Sequence, residues 1–380
     1  MIGNSPALAE ALGRFEGLYP ETIELSLGRV LNALDLLGRP QDRLPPVIPV
    51  AGTNGKGSTC AFMRAMMEAA GLKVHVFTSP HLVRFNERIR LAGEIVDDAG
   101  LVDWLERAYR AIQGHEITQF EATTATALLA FSEVPADVLI LEVGLGGSYD
   151  ATNVIDQPAL SVITPVDFDH KAFLGSDLRK IAGEKAGIIK PGCPALTAIQ
   201  RKVCDEVIAK RAEAVGAPLY RLKAHFIDAM PEDLGLVGEH QRANAALAAM
   251  AVQLFGNSTR IDQAAIFEGA RNASWPARMQ KLGPGPLTAL VPDQEVWLDG
   301  GHNPHAARAI ARQLQALPGR TALISAMLAS KDATGFFMPF RQLRPDVFTL
   351  PNAPGHQGAE PQALAEAAMT AGLKATACDS

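Results

Sequence analysis

Short apolar runs along the chain alternate with longer stretches in which apolar residues recur at helical spacing. Between two of the runs, residues 58–70 place Phe62 and Met66 one turn apart, which predicts a helix. Strands that alternate with helices indicate a parallel sheet with right-handed crossovers, and therefore an α/β fold. In the first half of the chain, the runs that predict buried strands are residues 46–52, 73–79, 137–144 and 159–165.

The same alternation resumes after an interval rich in Pro and Gly at residues 274–286. Such an interval is typical of a domain boundary, so we predict one domain at 1–276 and a smaller α/β domain at 277–380. The first forty residues carry Leu and Ile at helical spacing and predict helices. Strands are predicted in the second domain at residues 295–301, 321–327 and 346–352.

Composition narrows the class of protein. Of 380 residues, 48% are hydrophobic and 20% are charged, which is enough apolar material for a large core and excludes global disorder. The net charge of −6 and the lack of a basic block argue against a nucleic-acid partner. No run reaches the roughly 20 apolar residues of a membrane span, and no signal peptide is evident. Four scattered Cys predict neither disulfides nor a zinc site and favour a reduced, cytoplasmic setting. We also expect a monomer.

The strongest local motif is Ala-Gly-Thr-Asn-Gly-Lys-Gly-Ser-Thr at 51–59, between a predicted strand and a predicted helix. It departs from the usual phosphate-loop spelling because Gly57 separates the Lys from the Ser. An ordinary Gly-rich turn is the alternative, but Lys, Ser and Thr in this context favour phosphate binding, with Lys56 at the terminal phosphates. The candidate nucleotide residues of this loop are Gly52, Thr53, Asn54, Gly55, Lys56, Gly57, Ser58 and Thr59.

Glu142 ends the predicted strand at 137–144 and is followed by a Gly-rich turn. Ligands of parallel sheets lie beyond the carboxyl ends of the strands, and Mg²⁺ prefers oxygen ligands. A solvated acid is the alternative, but the strongly apolar run before Glu142 favours a metal role.

Several blocks, taken together, resemble the folylpolyglutamate synthase and dihydrofolate synthase family, which is related to the muramyl peptide ligases. AGTNGKGST is followed in family order by TSPHLVRFNERIR (78–90) and FEATTATAL (120–128). LEVGLGGSYDATN, DHKAFLG, IAGEKAGIIKPG, GEHQRANAALA and LDGGHNPHAA come next, so that the resemblance spans roughly 25–335.

The resemblance implies a fold and an activity. The fold is a P-loop-containing parallel-sheet ATPase domain, of the Mur-ligase central type, followed by a smaller Rossmann-like C-terminal α/β domain. The activity is an ADP-forming ligation of L-glutamate to dihydropteroate, to the glutamate tail of reduced folates, or to both. ATP would convert the acceptor carboxylate to an acyl phosphate, with Mg²⁺ as the cofactor, and the second domain would close over the ATP.

The resemblance also implies roles for individual residues. Ser79, Glu142 and His170 match the family's metal ligands. Lys185 matches a lysine that related ligases carbamylate to support a second magnesium ion. Asn244, Arg278 and Asp299 match nucleotide residues, and His302 matches a functional histidine that faces the phosphates. The expected acceptor residues are His81, Arg84, Phe120, Glu121, Thr152 and Asn153.

One departure from the family pattern bears on substrate choice or efficiency. Ser148 follows the two glycines of the LEVGLGGSYDATN block, where the family usually has Arg. Three alternatives to the folate ligase stay open: a ligase of the same superfamily with another acid as acceptor, an inactive nucleotide-binding protein, and a plain P-loop ATPase. Glutamate chain length, and which of the two folate activities is present, also stay open.

Overall fold

A computed structural model describes residues 4–20, 26–169, 175–256, 261–352 and 357–379. The chain forms two compact units. The first unit comprises Met1–Val166, Leu178–Gly235 and Ala243–Ser274, and the second unit comprises Asp167–Asp177, Leu236–Arg242 and Trp275–Ser380. The predicted division at 276/277 stays a prediction.

The strands are β1 (Val47–Ala51), β2 (Val74–Phe77), β3 (Ile89–Leu91), β4 (Glu94–Ile95), β5 (Val138–Glu142), β6 (Ser161–Ile163), β7 (Ala195–Thr197), β8 (Leu219–Arg221), β9 (Gln280–Lys281), β10 (Trp297–Leu298), β11 (Ala322–Ser325), β12 (Asp346–Thr349) and β13 (Lys374–Ala377). The helices are α1 (Pro6–Gly13), α2 (Gly28–Leu36), α3 (Lys56–Ala69), α4 (Asp98–Ile112), α5 (Gln119–Glu133), α6 (Leu178–Ala186), α7 (Lys202–Ala214), α8 (Ala224–Asp228), α9 (Glu239–Phe255), α10 (Gln263–Asn272), α11 (Pro286–Ala289), α12 (Pro304–Ala316), α13 (Ala333–Phe337) and α14 (Pro361–Thr370). Short 3₁₀ helices lie at Arg14–Leu18, Pro40–Arg43, Phe85–Arg88 and Met338–Gln342.

The first unit is built on a sheet in the order β4-β3-β2-β5-β1-β6-β7-β8. From β2 to β8 the neighbours pair in parallel, and β3 and β4 add an antiparallel edge. β1 and β5 are buried along their whole length, as the continuous apolar runs predict for strands covered on both faces. The register sets Val50 of β1 opposite Glu142 of β5, so the residues that follow these strands emerge side by side.

Helix α3 carries the phosphate loop at its start and is held firmly in the first unit. Its side chains at Phe62, Met63, Met66 and Met67 are fully buried. Helix α10 crosses it closely at Gly269, where an added Cβ would lie 2.3 Å from the Met66 Cα. The close crossing fixes the direction in which the helix presents its first turn.

The second unit has its own sheet, in which β11, β12 and β13 pair in parallel, and a separate antiparallel pair of β9 and β10. Side chains of α12, α13 and α14 pack on one face of the three-stranded sheet around Phe337 and Phe340. Asn303 caps α12 by accepting from the Ala306 N–H at 2.9 Å, and Pro304 occupies the first turn, as the sequence predicts. The predicted α/β class, with a large mostly parallel sheet and a smaller α/β unit, is confirmed.

Among the described residues, none of the helices is both long enough and apolar enough to cross a bilayer.

Candidate active site

The phosphate loop joins β1 to α3 through four residues, two of which are glycines with positive φ. Gly52 has φ 151° and Gly55 has φ 86°, a left-handed conformation that a side chain disfavours. The N–H groups of Thr53 and Asn54 donate to the Pro165 carbonyl at 3.0 and 3.3 Å. These two bonds fix the loop to the segment after β6. The N–H groups that remain for a ligand are therefore those of the residues at the start of α3.

The start of α3 supplies the anion-binding donors. Its first closing bond runs from the Thr59 N–H to the Gly55 carbonyl at 2.8 Å, so the preceding N–H groups at the helix start have no partner within the helix. Ser58 and Thr59 are buried, and within the described chain the Thr59 hydroxyl has no hydrogen-bond partner. Free donors, the helix dipole and an orphaned hydroxyl together fit a bound phosphate.

Two lysine side chains converge on this loop. The Lys56 ammonium group donates to the Gly52 carbonyl at 3.3 Å, and the Lys185 amine donates to the same oxygen at 2.8 Å. Lys185 lies on α6 and is only 5% exposed. Two cations at one carbonyl are well placed for a polyphosphate, which carries several negative charges.

Asn244 lies against the loop from α9. It is 6% exposed, and a Cβ added at Gly55 would come within 2.5 Å of its Oδ1. Position 55 therefore favours glycine for two reasons: its φ is positive, and Asn244 occupies the space that a side chain would need. The sequence grouped these two residues as nucleotide contacts, and the structure brings them together.

Glu142 and Ser79, two of the three predicted metal ligands, are also brought together. Glu142 is 4% exposed at the end of β5, and its Oε2 accepts from the Ser79 N–H at 3.1 Å. The parallel pairing of β2 with β5 sets Phe77 opposite Leu141, which carries Ser79 past the same edge of the sheet. The third predicted ligand, His170, lies outside the described residues.

The chemistry of these donors fits magnesium. The described residues contain no cluster of three or more His, Cys, Asp or Glu side chains that could hold a metal by themselves. Mg²⁺ needs no such cage, because it typically takes one or two carboxylates and completes its octahedron with waters and substrate phosphates. Glu142 offers one such carboxylate at the end of β5, which pairs with the phosphate-loop strand, and Ser79, which carries a hydroxyl, follows the neighbouring strand β2.

The turn after β5 is organised by Asp150, a residue that the sequence analysis missed. Its buried carboxylate accepts from the Leu145 N–H at 2.7 Å, the Thr152 N–H at 3.0 Å and the Thr152 hydroxyl at 2.5 Å. Burial raises the pKa of Asp150, although these hydrogen bonds oppose the rise. An acid followed two residues later by Thr in a Gly-rich segment is the available signal, because Asp side chains fold such turns onto themselves.

Ser148 and Asn153 complete this turn. The Ser148 N–H and hydroxyl both donate to the Glu184 carbonyl, at 2.9 and 3.2 Å, one residue before Lys185. The Asn153 amide donates to the Ser148 carbonyl at 2.9 Å. The residue that departs from the family pattern therefore packs the turn onto α6, and it brings no charge to the site.

The segment after β2 is wrapped around Glu87. Its carboxylate accepts from the N–H groups of Leu82, Val83 and Arg84 at 2.7, 3.0 and 2.8 Å. Burial opposes the effect, but these three bonds lower the pKa of Glu87. The Arg84 side chain points to Asp98 at 2.5 Å and forms an exposed ion pair there.

Arg88 is a half-buried cation on the same segment. Its Nε donates to His81 Nδ1 at 2.9 Å, and its guanidinium lies 5.2 Å from the Phe85 ring centroid. Burial lowers the pKa of Arg88 to about 10, and the charges of Glu142 and Glu87 oppose the fall. The fold brings Arg88 within the electrostatic influence of Glu142, 54 residues further along the chain.

Phe120 and Glu121 begin α5 and have different surroundings. The half-buried Phe120 ring lies under Gly144, where an added Cβ would be 2.5 Å from the ring. Glu121 is buried, closes a capping box with Thr118 and pairs with Arg29 at 3.0 Å. Phe120 therefore lies at the strand-end turn, whereas the Glu121 carboxylate is engaged in holding the helix start.

In the second unit, Asp299 joins two backbone segments. Its carboxylate accepts from the Met279 N–H and the Gly301 N–H, both at 2.7 Å. Arg278 lies against Gly300, with its guanidinium 2.8 Å from the position of an added Cβ. The three second-unit residues that the sequence singled out, Arg278, Asp299 and His302, thus belong to one pair of adjoining loops.

His302 itself lies between two acceptors. Its Nδ1 is 3.1 Å from the Gly300 carbonyl, and its Nε2 is 3.2 Å from Asp169 Oδ2. The ring is 48% exposed and therefore open to a ligand on its other side.

The chain is similar to known proteins over most of its length. The Mur ligase middle domain model matches residues 50–215. The dihydrofolate synthase/folylpolyglutamate synthase of Bacillus subtilis is 36% identical over 338 residues, which cover 81% of this chain and 76% of the relative.

Two solved structures are similar over nearly the whole chain. Escherichia coli FolC in complex with DHPP and ADP has a TM-score of 0.85 and 33% identity, with 100% of this chain and 90% of that one covered. A bifunctional folylpolyglutamate synthase/dihydrofolate synthase with Mn, AMPPNP and L-glutamate bound has a TM-score of 0.82 and 32% identity, with 99% and 90% covered.

Proposed function

Because this chain belongs to the folylpolyglutamate synthase/dihydrofolate synthase family, we propose that it is an ADP-forming ligase that adds L-glutamate to dihydropteroate, to the glutamate tail of reduced folates, or to both. The observation that carries the proposal is the phosphate loop, at which Lys56 and Lys185 meet on one carbonyl. The loop adjoins β5, whose last residue, Glu142, is a buried carboxylate.

The chemistry explains why this arrangement is needed. A carboxylate does not react with an amine at neutral pH, since oxide would have to leave. Transfer of the terminal phosphoryl group of ATP to a carboxylate oxygen releases ADP and forms an acyl phosphate. The amino nitrogen of glutamate then attacks the carbonyl carbon, the carbon–oxygen bond to phosphate breaks, and the amine gives up a proton.

The first unit supplies what phosphoryl transfer requires, namely positioning and neutralised charge. The N–H groups at residues 55–58 and the Lys56 ammonium group bind the phosphates and hold the terminal one in line with its acceptor. Asn244 closes the loop on the side of Gly55, where we propose that the nucleotide base end lies.

Glu142, Ser79 and His170 are the residues that would hold Mg²⁺. Bound there, the ion would neutralise phosphate charge. The Lys185 amine donates to the Gly52 carbonyl. A carbamate on its Nζ would instead offer an oxygen ligand to a second ion.

We propose that the carboxylate acceptor lies near the strand-end turn after β5 and the segment after β2. Phe120 has a half-exposed ring at the strand-end turn and suits contact with a flat heterocycle. His81 and Arg84 lie on the segment that Glu87 shapes. Asp150 makes Thr152 part of the turn that follows β5, and Glu121 and Asn153 likewise act through the backbone that they hold. Arg278, Asp299 and His302 are proposed as nucleotide and phosphate residues of the second unit on the resemblance and their shared loops.

The test compares Lys56→Ala with Lys73→Ala, an exposed lysine just before β2. With ATP, Mg²⁺, glutamate and either dihydropteroate or tetrahydrofolate, we expect glutamate-dependent ADP release to fall by about 10²–10³-fold in Lys56→Ala and to stay unchanged in Lys73→Ala. The mass of the products identifies which acceptor is used. A near wild-type rate for Lys56→Ala contradicts the scheme.

A panel of other carboxylic acids tests the runner-up, a ligase of the same superfamily with a different acceptor. Turnover with another acid but with neither folate acceptor favours it. Tight ATP binding without turnover on any acid favours an inactive nucleotide-binding protein.

The monomeric state and the cytoplasmic location also stay predictions, which light scattering and cell fractionation check.

A further inference from the structure

One buried carboxylate in the second unit collects the side chains of two separate loops. Asp169 is 8% exposed and receives Lys331 Nζ at 2.7 Å on Oδ1. On Oδ2 it faces His302 Nε2 and receives Asn303 Nδ2, each at 3.2 Å. We call these four residues the Asp169 cluster.

The backbone on the His302 side of the cluster is fixed. Asn303 is 3% exposed and caps α12 with its side-chain oxygen, while its amide nitrogen donates to Asp169. His302 precedes this cap, and its other ring nitrogen lies 3.1 Å from the Gly300 carbonyl. The two ring nitrogens thus face the Gly300 carbonyl and the Asp169 carboxylate, and the orientation of the imidazole depends on where that carboxylate lies.

The backbone on the Lys331 side is equally fixed. The next residue, Asp332, caps α13 by accepting from the Gly335 N–H at 2.9 Å. The loop before it is bonded to a neighbouring segment through Ala329 N–H to the Gln357 carbonyl, at 3.0 Å. Lys331 therefore presents its ammonium group from a rigid position, and its side chain is only 10% exposed.

A buried carboxylate depends strongly on its cation. Removing one partner of such a pair leaves an uncompensated charge, which turns toward water or draws water in. Within the Asp169 cluster, Lys331 makes the shortest contact with the carboxylate and brings an ammonium group to it, so we expect its removal to displace the carboxylate.

We propose that Lys331 is a positioning residue that fixes the Asp169 carboxylate and, through it, orients the His302 imidazole. The inference rests on the proposed function, which gives His302 a role at the phosphates. Lys331 itself touches neither reactant in this scheme, and its effect on the reaction passes through His302.

The same segment provides a matched control. Arg308 of α12 pairs with Asp167 at 3.1 Å, two residues before Asp169. This pair also joins the segment at 167–169 to α12, but the Arg308 guanidinium approaches Asp167 and not the carboxylate that faces His302. A variant at Arg308 therefore removes an ion pair of the same segment and leaves the cation of the Asp169 cluster in place.

The experiment is a double-mutant cycle with Lys331→Met and His302→Ala, run beside Arg308→Met in the same two backgrounds. We expect Lys331→Met to lower kcat by at least about 10-fold, since a displacement on the order of 1 Å can cost 10²-fold, with the KM for ATP much less changed. In the His302→Ala background, Lys331→Met should lower kcat by less than about 2-fold, because the orientation it controls is already lost. Lys331→Arg should restore part of kcat. The kcat of Arg308→Met should stay close to that of its parent in both backgrounds.

Equal losses from Lys331→Met in both backgrounds, or an unchanged kcat in either single variant of the cycle, would overturn the inference. If Lys331→Met does not fold, Lys331→Gln takes its place, with a thermal melt as the check. Nitrogen chemical shifts of the His302 ring, assigned with His302→Ala, give a readout that needs no turnover. They should move in the Lys331 variant and not in Arg308→Met, and unmoved shifts contradict the inference even if the chain proves to ligate a different acid.

Discussion

The Lys185 side chain donates a hydrogen bond to the Gly52 carbonyl at 2.8 Å, across 133 residues of sequence. Gly52 begins the phosphate loop, and Lys185 ends a turn of α6 in a buried position. The contact joins two blocks that lie far apart along the chain, and it brings the Lys185 side chain to the start of the phosphate loop.

Replacement of Lys185 should therefore affect turnover more than folding. We expect Lys185→Met to lower kcat by about 10²-fold, because a buried charge next to the transferring phosphate is lost. Lys180→Met, on an exposed position of the same helix, is the control and should keep full activity. Steady-state kinetics with and without added bicarbonate, together with intact mass, report whether a carbamate on Lys185 contributes. A Lys185→Met enzyme with the wild-type kcat contradicts the assignment.

Gly55→Ala should abolish tight nucleotide binding. The added Cβ would lie 2.5 Å from the Asn244 side chain, at a residue with φ 86°. Gly71 has a similar φ of 80° but has no atom within 4 Å of its added Cβ, so Gly71→Ala carries the strain without the collision. Gly71→Ala should lose about 1 kcal/mol of stability and Gly55→Ala at least as much, but only Gly55→Ala should weaken binding of an ATP analogue, by at least about 10-fold in calorimetry. Equal affinities in the two variants would show that the contact with Asn244 is unimportant.

Glu142→Gln should raise the magnesium concentration needed for activity. The glutamine oxygen can still accept from the Ser79 N–H, so the strand end stays in place while the charge is removed. We expect the half-saturating Mg²⁺ concentration to rise by about 10–100-fold. Glu133→Gln, on the exposed end of α5, is the matched control. An unshifted Mg²⁺ titration of the Glu142 variant would rule out a metal role for this carboxylate.

The parts of the site that lie close together in sequence were predictable. The loop at 51–59 lies between β1 and α3 as expected, because glycines, a lysine and hydroxyl residues at a strand-to-helix junction act through local backbone geometry. Glu142 at the end of β5 was found by the same reasoning. Burial of Cys60 raises the pKa of its thiol, so in the folded chain this side chain behaves as a small apolar residue near the start of α3.

The parts that depend on the pairing of distant segments were not predictable. Asp150 is a turn acid in sequence, and only its burial under three donors reveals its role. The Asp169 cluster requires that a segment from the middle of the chain meet two loops of the second unit, which no local pattern encodes. The short antiparallel strands β3, β4 and β9 likewise lack a continuous apolar run, and we did not predict them.

Buried His75 should make the stability of the protein fall in mild acid. Its Nε2 donates to the Val134 carbonyl at 2.8 Å, and its Nδ1 accepts from the Ala92 N–H at 2.9 Å, an arrangement that only the neutral ring can make. Burial lowers the pKa of His75 below its ordinary value of 6.5, although the bond to Val134 opposes the fall.

The direction of this pH dependence follows from the protonation of His75 in the folded and unfolded states. Below pH 6.5 the unfolded chain takes up a proton at this histidine while the folded chain does not, so stability present above pH 6.5 is lost as the pH falls toward the folded-state pKa. Each unit by which the pKa is lowered is worth about 1.4 kcal/mol. In urea unfolding at several pH values, His75→Gln should be less stable at neutral pH but should lose less stability than the wild type on acidification. His115→Gln, at an exposed position after α4, should keep the wild-type slope. A His75→Gln slope as steep as that of the wild type would show that another group causes the acid sensitivity.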